Sequence, residues 1–99
     1  MPIKVVIKTS TRSEKKLMAI FFKHEGGAKI RTVHFGQESA PDFTKTRDEA
    51  QKKRYLDRHR ARENWNDYMS AGALSRWILW NKPTRAEAIK SYKKRFKLV

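Results

Sequence analysis

Apolar and polar residues alternate in the first third of the chain with the period of two that is typical of β-strands. Ile3, Val5 and Ile7 alternate with Lys4 and Lys8, which gives a strand with one apolar face. In the next apolar segment both sets of alternating positions are apolar, with Leu17, Ala19 and Phe21 on one face and Met18, Ile20 and Phe22 on the other. This segment therefore predicts the central strand of a sheet.

A third strand is predicted after the turn Glu25-Gly26-Gly27. Glycine adopts the positive φ angles that tight turns require, and the chain then returns through Ile30, Val33 and Phe35. We expect the strands at about residues 3–8, 16–24 and 28–35. Because the connections are short, the strands should form an antiparallel meander in the order 1-2-3.

Three helices are predicted in the second half of the chain, where apolar residues recur with helical spacing. Thr46-Arg47-Asp48-Glu49 matches a capping box, in which the threonine hydroxyl accepts a helical N–H and the glutamate accepts the N–H of the cap residue. Ser70 is a candidate N-cap, and Thr84-Arg85-Ala86-Glu87 repeats the capping box. The predicted helices span about residues 46–63, 70–80 and 84–96, with Leu74, Trp77, Ile78, Ile89, Tyr92 and Phe96 toward the core.

The sequence thus predicts an α+β fold, a three-stranded antiparallel meander followed by three helices. The length of 99 residues favours one domain with one modest core. We expect the meander in residues 1–36, a loop in residues 37–45 that Phe43 anchors to the core, and the helical part in residues 46–99. The helices carry the aromatic groups that can cover one face of the small sheet.

The charge balance points to a polyanionic partner. The chain has 24 Lys and Arg against 10 Asp and Glu, a formal net charge of +14 at pH 7. Like charges repel one another in a compact fold, and nucleic acid or an anionic surface neutralises them. Residues 46–99 hold 15 of the 24 cations, so the helical part carries most of the excess.

The predicted binding surface lies on the first and last helices. Arg54, Arg58 and Arg62 follow one another at i, i+4 and predict an arginine ridge, and the last helix repeats that spacing with lysines. Like charges so placed cost about 0.2–0.5 kcal/mol per pair in an isolated helix, which phosphate groups would offset. The candidate nucleic-acid-binding residues are Lys53, Arg54, Arg58, Arg60, Arg62, Lys90, Lys93, Lys94 and Lys97.

Two tryptophans are candidate aromatic contacts. Trp77 and Tyr92 fall on apolar stripes and are expected in the core. Trp65, in a loop, and Trp80, off the stripe of its helix, are open to stacking on exposed bases. No zinc-finger, basic-zipper or RNA-recognition signature is present, so binding should be dominated by phosphates and sensitive to salt.

Cysteine is absent from the sequence, which excludes disulfide bonds and thiolate metal sites. The N-terminal residues lack the apolar run of a secretory signal, and no segment has the roughly twenty apolar residues of a membrane span. We therefore expect a soluble, intracellular protein without a transmembrane segment, or one packaged in a particle assembled inside a cell. No cofactor, metal or small-molecule substrate is expected.

A metal-dependent nuclease is a further alternative. Asp57, Glu63 and Asp67 can in principle hold Mg²⁺. Acidic residues along a basic helix are more often salt-bridge partners, however, and none of the three histidines lies within helix spacing of another. We therefore predict no enzymatic activity and no catalytic residue.

Much of the chain resembles a family of small, basic, uncharacterised proteins encoded by nucleocytoplasmic large DNA viruses. The motifs that carry the resemblance are Lys53-Arg54-Tyr55, Arg58-His59, residues 62–67 (Arg-Glu-Asn-Trp-Asn-Asp), residues 71–84 and Tyr92-Lys93-Lys94-Arg95-Phe96, together with residues 3–8 and His34-Phe35-Gly36. The resemblance implies a viral setting, in the host cytoplasm or nucleus and packaged in the virion. It supplies no site residues.

Two hypotheses follow from that setting. In the first, the protein coats or condenses the viral genome, and the arginine ridge and the lysines of the last helix bind its phosphates. In the second, it is a minor capsid or cement protein whose basic surface contacts acidic capsid or membrane surfaces, with Trp65 and Trp80 as interface anchors. Both hypotheses use the same residues.

Overall fold

Three antiparallel strands form the N-terminal part of the fold. The computed structural model describes residues 3–24 and 26–99. Strands β1 (Ile3–Thr9), β2 (Lys15–Lys23) and β3 (Lys29–Gln37) form one sheet in the order β1-β2-β3. The predicted meander and its central second strand are confirmed. Of the predicted turn, Glu25 lies outside the described residues, while Gly26 and Gly27 have φ angles of +80° and +65°.

The inner face of the sheet packs on the helices. Val5 lies opposite Phe21, and Leu17 lies opposite Phe35, in the cross-strand register. All four side chains are buried in one cluster with residues from the C-terminal half, including Leu74, Ile78 and Tyr92. The sheet therefore gains its cover from the C-terminal half, as predicted.

The end of the chain returns to the free edge of β1. The N–H of Val99 donates to the carbonyl of Ile3 at 2.9 Å, and the N–H of Val5 donates to the carbonyl of Val99 at 2.9 Å. These two bonds satisfy backbone groups that an edge strand leaves open to other chains. Leu98, beside them, is buried in the core cluster.

In the described part of the chain, four α-helices follow the sheet, and one of them continues into a π-helical segment. They are α1 (Phe43–Thr46), α2 (Glu49–His59), α3 (Ala71–Leu74) with the π-helical segment Ser75–Leu79, and α4 (Arg85–Phe96). The α+β class is confirmed. The three predicted helices correspond to α2, to α3 with its π-helical continuation, and to α4, while the short α1 occupies part of the predicted loop in residues 37–45 and its Phe43 is buried as expected.

Helix α2 is shorter than predicted at both ends. Its N-cap is Asp48, whose Oδ1 accepts the N–H groups of Ala50 at 3.0 Å and Gln51 at 3.1 Å. The predicted cap, Thr46, is instead the last residue of α1. At the other end α2 stops at His59 and not near residue 63, and residues 60–62 form a turn.

The other two predicted caps are confirmed. The Ser70 hydroxyl accepts the N–H of Ala73 at 3.1 Å, and the Thr84 hydroxyl accepts the N–H of Glu87 at 3.2 Å. After α3 the backbone hydrogen bonds change from a spacing of four residues to one of five. The N–H of Trp80 donates to the carbonyl of Ser75, five residues earlier, at 3.1 Å. The predicted regular helix over residues 70–80 is therefore half α-helix and half π-helix.

We expect Gly36→Ala to destabilise the fold. Gly36 has a φ angle of +79°, and a Cβ there would lie 2.6 Å from Cδ1 of the buried Leu79. The strained backbone alone costs about 1–3 kcal/mol for a non-glycine residue, and the clash adds to that. Urea unfolding measures the loss.

Gly26→Ala is the matched control for that variant. Its φ angle is +80°, but a Cβ there would meet nothing within 4 Å. Gly26→Ala therefore carries the backbone strain without the clash and should lose less stability. Equal losses for the two variants would contradict the close packing of β3 on Leu79.

Candidate nucleic-acid interface

A cleft of about 530 Å³ lies where α2 faces the start of β2, the end of β3 and the π-helical segment. This volume is typical of a binding site, since small-ligand pockets span roughly 300–1,000 Å³. Four cationic side chains and two carboxylates line it: Lys15, Lys16, Arg54, Arg58, Asp42 and Glu63. Because four cations face two carboxylates, one of which is paired with Lys16, the lining of the cleft carries an excess of positive charge.

Asp42 forms the floor of the cleft with Lys16. Lys16 Nζ lies 2.5 Å from Asp42 Oδ2, with side-chain exposures of only 4% and 1%. Lys16 also donates to the carbonyl of Ala40, and Thr44 donates to Asp42 through its N–H and its hydroxyl. Burial alone would raise the pKa of Asp42, but the hydrogen bonds from Lys16 and Thr44 and the charges of Lys16 and Arg85 outweigh it, so the pKa lies below its usual 3.8.

Glu63 closes one end of the cleft. Its Oε1 lies 3.3 Å from Nδ1 of His59, and its Oε2 accepts the indole N–H of Trp65 at 3.0 Å. Gly72 packs directly against this carboxylate, since a Cβ at Gly72 would lie 2.8 Å from Glu63 Cδ. The second carboxylate of the cleft is thus also held by neighbouring groups.

An aromatic stack fixes α2 on the body of the protein. The Tyr55 ring lies between Trp80, at a centroid distance of 4.4 Å, and His59, at 4.2 Å. Burial, followed by the charge of Glu63, raises the pKa of Tyr55 to about 12. Tyr55 therefore stays protonated and acts here as a packing residue that sets the direction of α2.

Arg54 and Arg58 are the predicted cationic site residues that the cleft brings together. Both lie on the cleft side of α2, and both are exposed. Within residues 3–24 and 26–99, neither has a carboxylate within 4.0 Å. Arg62 lies in the turn after α2 and does not line the cleft, so the predicted ridge of three arginines on one helix was wrong; it consists of two.

Lys53 lies on another side of α2, and Arg60 follows in the turn at its end. Both border a second, shallower depression together with Glu49 and Asp57. Lys53 Nζ is paired with Asp57 Oδ2 at 2.9 Å, and both side chains are exposed. Lys53 is therefore partly neutralised within the protein, and exposed pairs of this kind add little to stability.

The lysines of α4 face away from the body of the protein. Ala88 and Tyr92 form the buried side of α4, and Tyr92 is fully buried as predicted. At helical spacing, Lys90, Lys94 and Lys97 fall on the opposite side, where all three are exposed, while Lys93 is half-buried. None of these four lysines lines the cleft.

The two candidate tryptophans have different environments. Trp80 lines the cleft, but it is only 7% exposed and its ring is stacked on Tyr55, so it offers little surface for stacking on a base. Trp65 is half-buried, and its ring faces the Arg76 guanidinium at 5.3 Å. Trp65 therefore keeps part of its surface open beside the end of the cleft at Glu63.

Trp65 begins a stack of alternating aromatic rings and guanidinium groups. Arg76 Cζ lies 4.2 Å from the Trp77 centroid, and Arg95 Cζ lies 3.8 Å from it. Burial, and then the charges of Arg95 and Arg60, lower the pKa of Arg76. Among the described residues, Arg76 Nε is buried without a hydrogen-bond partner. We call Trp65, Arg76, Trp77 and Arg95 the Arg–Trp stack.

The sequence prediction missed the Arg–Trp stack and the two lysines of the cleft. Arg95 lies eighteen positions after Trp77, so no local spacing connects them. Lys15 and Lys16 are the first two residues of β2, before its apolar run, and look like ordinary surface residues in the sequence. The one local signal was the adjacency of Arg76 and Trp77 on an apolar stripe.

The three carboxylates considered for a metal site do not converge. Asp57 pairs with Lys53, and Glu63 is bound to His59 and Trp65. In the part of the chain that the structure describes, no three His, Asp or Glu side chains are grouped so that they could hold a metal ion.

Comparison with known proteins identifies the family of the chain. Residues 5–59, from β1 to the end of α2, match the model of DUF5754, a family of unknown function. The chain belongs to this family. The matched residues include Arg54, Arg58 and the Lys16–Asp42 pair, whereas the Arg–Trp stack lies beyond them. No curated protein and no solved structure shows a significant match, and none of the described helices is long and apolar enough to cross a membrane.

We expect Asp42→Ala to cost about 3–5 kcal/mol of unfolding free energy, because it leaves the Lys16 ammonium buried without its partner. Because the folded-state pKa of Asp42 is lowered, its stabilisation is present at neutral pH and is lost as the pH falls through that value, below 3.8. Urea unfolding at several pH values measures both effects.

Two controls test this assignment. Asp57→Ala removes a carboxylate whose lysine partner is exposed and should change stability little. Lys16→Met added to Asp42→Ala should recover part of the lost unfolding free energy, since it removes the buried ammonium that has no partner. If Asp42→Ala were as mild as Asp57→Ala, the buried pair would not have the role described.

Proposed function

We propose that this protein binds nucleic acid without catalysing a reaction, and that its cleft holds the phosphate backbone through Arg54 and Arg58. One observation carries the proposal. Two exposed arginines face a cleft whose own carboxylates, Asp42 and Glu63, are already occupied by other partners. Arginine binds phosphate oxygens with paired hydrogen bonds, which suits this position.

The charge of the whole chain supports the proposal. Among the described residues, ion pairs within 4.0 Å join Lys16 and Arg85 to Asp42, and Lys53 to Asp57. Most of the 24 Lys and Arg side chains thus have no carboxylate partner there, and the net charge is +14. A phosphate backbone neutralises such an excess, and released counterions drive the association.

The Arg–Trp stack supports a contact with unpaired bases. Glu63 hydrogen-bonds His59 inside the cleft and Trp65 outside it, so the stack begins where the cleft ends. A single strand that leaves the cleft at Glu63 meets the open part of the Trp65 ring. We therefore propose phosphate contacts inside the cleft and a base contact at its end.

We extend the proposal to a virion-packaged protein that coats or condenses the genome of a large DNA virus, since the resemblance implies that setting. A second candidate is the minor capsid or cement protein. It is favoured by an observation outside the cleft, the uncovered apolar face of the sheet that is described below.

The double variant Arg54→Gln/Arg58→Gln tests the cleft. Loss of two phosphate contacts should lower the slope of log K against log salt by about 1.8 on duplex DNA, since each phosphate contributes about 0.9. Fluorescence anisotropy over a salt series measures the slope for duplex and single-stranded DNA and for RNA.

Lys4→Gln/Lys8→Gln is the charge-matched control. It also removes two exposed cations, but from β1 on the far side of the sheet. We expect it to keep most of the affinity. Equal losses for the two double variants would mean that only total charge matters, which would refute the assignment of the cleft.

Trp65→Ala tests the base contact. A stacked base contributes about 1–3 kcal/mol, so this variant should weaken single-strand binding by that amount. Duplex binding should change little, because paired bases are not available to the ring. Anisotropy titrations with both DNAs at one salt concentration measure the difference, and a parallel loss on both would count against stacking.

A further inference from the structure

The sheet has a second, outer face whose composition follows from the strand register. Side chains that lie opposite one another across β1, β2 and β3 form three rows. The rows are Lys4–Phe22–Lys29, Val6–Ile20–Thr32 and Lys8–Met18–His34. The centre of this face is therefore apolar, and three of its four corners carry a lysine.

This outer face is separate from the core. Val6, Met18, Ile20 and Phe22 are absent from the cluster that the helices share with the inner face, within the described part of the chain. Val6, Ile20 and Phe22 are half-buried and Met18 is 8% exposed, whereas Ala19 and Phe21, beside them on the inner face, are 0% exposed.

An antiparallel sheet that faces water on one side normally presents polar side chains there. Contiguous exposed apolar surface with a polar rim is a common mark of a protein interface. The apolar column on β2 and the lysines around it therefore require an occupant with two properties. It must bury aliphatic side chains, and it must offer negative charge at the rim.

Charge excludes a second copy of this chain as that occupant. A symmetric dimer through this face places the same patch on both sides. Lys4, Lys8 and Lys29 of one copy would then crowd the same lysines of the other, in a partly desolvated interface where repulsion is strong.

The side chains also disfavour nucleic acid on this face. Proteins that read single strands on a sheet stack successive bases on two or three aromatic rings. Phe22 is the single aromatic residue of the central column, where Met18 and Ile20 are aliphatic. Phosphate groups also have no arginine in the three rows to pair with.

We propose that the outer face is a docking site for a partner protein, which contributes a helix with an apolar stripe bordered by Asp or Glu. The stripe packs on Val6, Ile20 and Phe22, and its acidic borders pair with Lys4, Lys8 and Lys29. A helix laid on a sheet face is the usual way to cover such a surface. The inference goes beyond the proposed function and does not depend on it.

The test is a selection with a phage-displayed library of single helices against the folded full-length chain. We expect the selected helical peptides to carry an apolar stripe at positions i, i+3 and i+4 that is flanked by Asp or Glu. Their binding should fall about tenfold or more with Val6→Thr/Ile20→Thr, which removes the apolar contact and keeps β-branched residues in the strands. Thermal melts of the variant establish that it folds.

Two charge variants complete the design. Lys4→Gln/Lys8→Gln should weaken peptide binding and reduce its salt dependence, whereas Arg54→Gln/Arg58→Gln should leave it unchanged. Selected peptides without acidic borders, or peptides whose binding does not change with Val6→Thr/Ile20→Thr, would overturn the proposal. The proposed function is measured with nucleic acid in the cleft, so either can fail without the other.

Two further outcomes would reassign this face. Sedimentation that shows a dimer dissociated by Val6→Thr/Ile20→Thr would make it a self-association surface. Binding to phosphatidylserine–phosphatidylcholine vesicles that the same variant abolishes would make it a membrane contact. In either case the helical partner is rejected.

Discussion

Lys16 and Asp42 bring an ammonium and a carboxylate together where water reaches neither group, and several parts of the chain meet there. Lys16 comes from the start of β2, and Asp42 caps α1 by accepting the N–H of Thr44 at 2.9 Å. Arg85, the first residue of α4, approaches the same carboxylate at 3.8 Å. Burying two charges is costly, and such a pair stabilises a fold only when hydrogen bonds complete it. The additional bonds from Thr44 and to Ala40 supply that completion. The pair therefore joins the starts of α1 and α4 to the sheet and forms the floor of the cleft.

A chain with this much positive charge must pack long cationic side chains without enough carboxylates to pair them. Aromatic rings supply the alternative. Lys52 Nζ lies 4.7 Å from the Phe43 centroid and donates to the carbonyl of Asn81 at 2.7 Å, while Arg76 and Arg95 share the Trp77 ring. Cation–π contacts and carbonyl bonds fix these side chains but leave their charge uncancelled. The fold thus keeps its positive potential, which salt bridges would have removed.

Local patterns in the sequence were sufficient for the sheet and for two of the caps. Alternation predicted the strands, and Ser70 and Thr84 fit the capping rules because those rules depend on residues three apart. The start of α2 was mispredicted because Thr46 and Asp48 both satisfy the same rule, and tertiary packing of Phe43 decides between them. The π-helical turn has no pattern of its own, so regular helical spacing left the side of Trp80 open.

In the candidate site too, local sequence patterns predicted some residues and not others. Arg54 and Arg58 could be predicted since helical spacing places them on one side of α2. Lys16, Asp42 and Arg95 could not, because their roles come from contacts between residues that lie 18 or more positions apart, as in the bond from Lys16 to Asp42, 26 positions away. Such contacts form only when the chain folds, and they produce no regular spacing of residues in the sequence.

The cleft and the outer face of the sheet attract negative groups by different chemistry, which allows one small protein to distinguish two partners. In the cleft, exposed arginines offer paired donors to phosphate, and a nucleic-acid backbone can remain hydrated while it binds. On the outer face the lysines are point charges around an apolar centre, so a phosphate there would leave Ile20 and Phe22 uncovered. A helix with acidic borders gains from both parts of that face, because hydrophobic burial supplies affinity while the lysines set orientation. Since the helices cover the inner face and the cleft lies on their side, the two surfaces point away from each other. Together, the two proposals describe a chain that joins a nucleic acid to a protein assembly without competition between them.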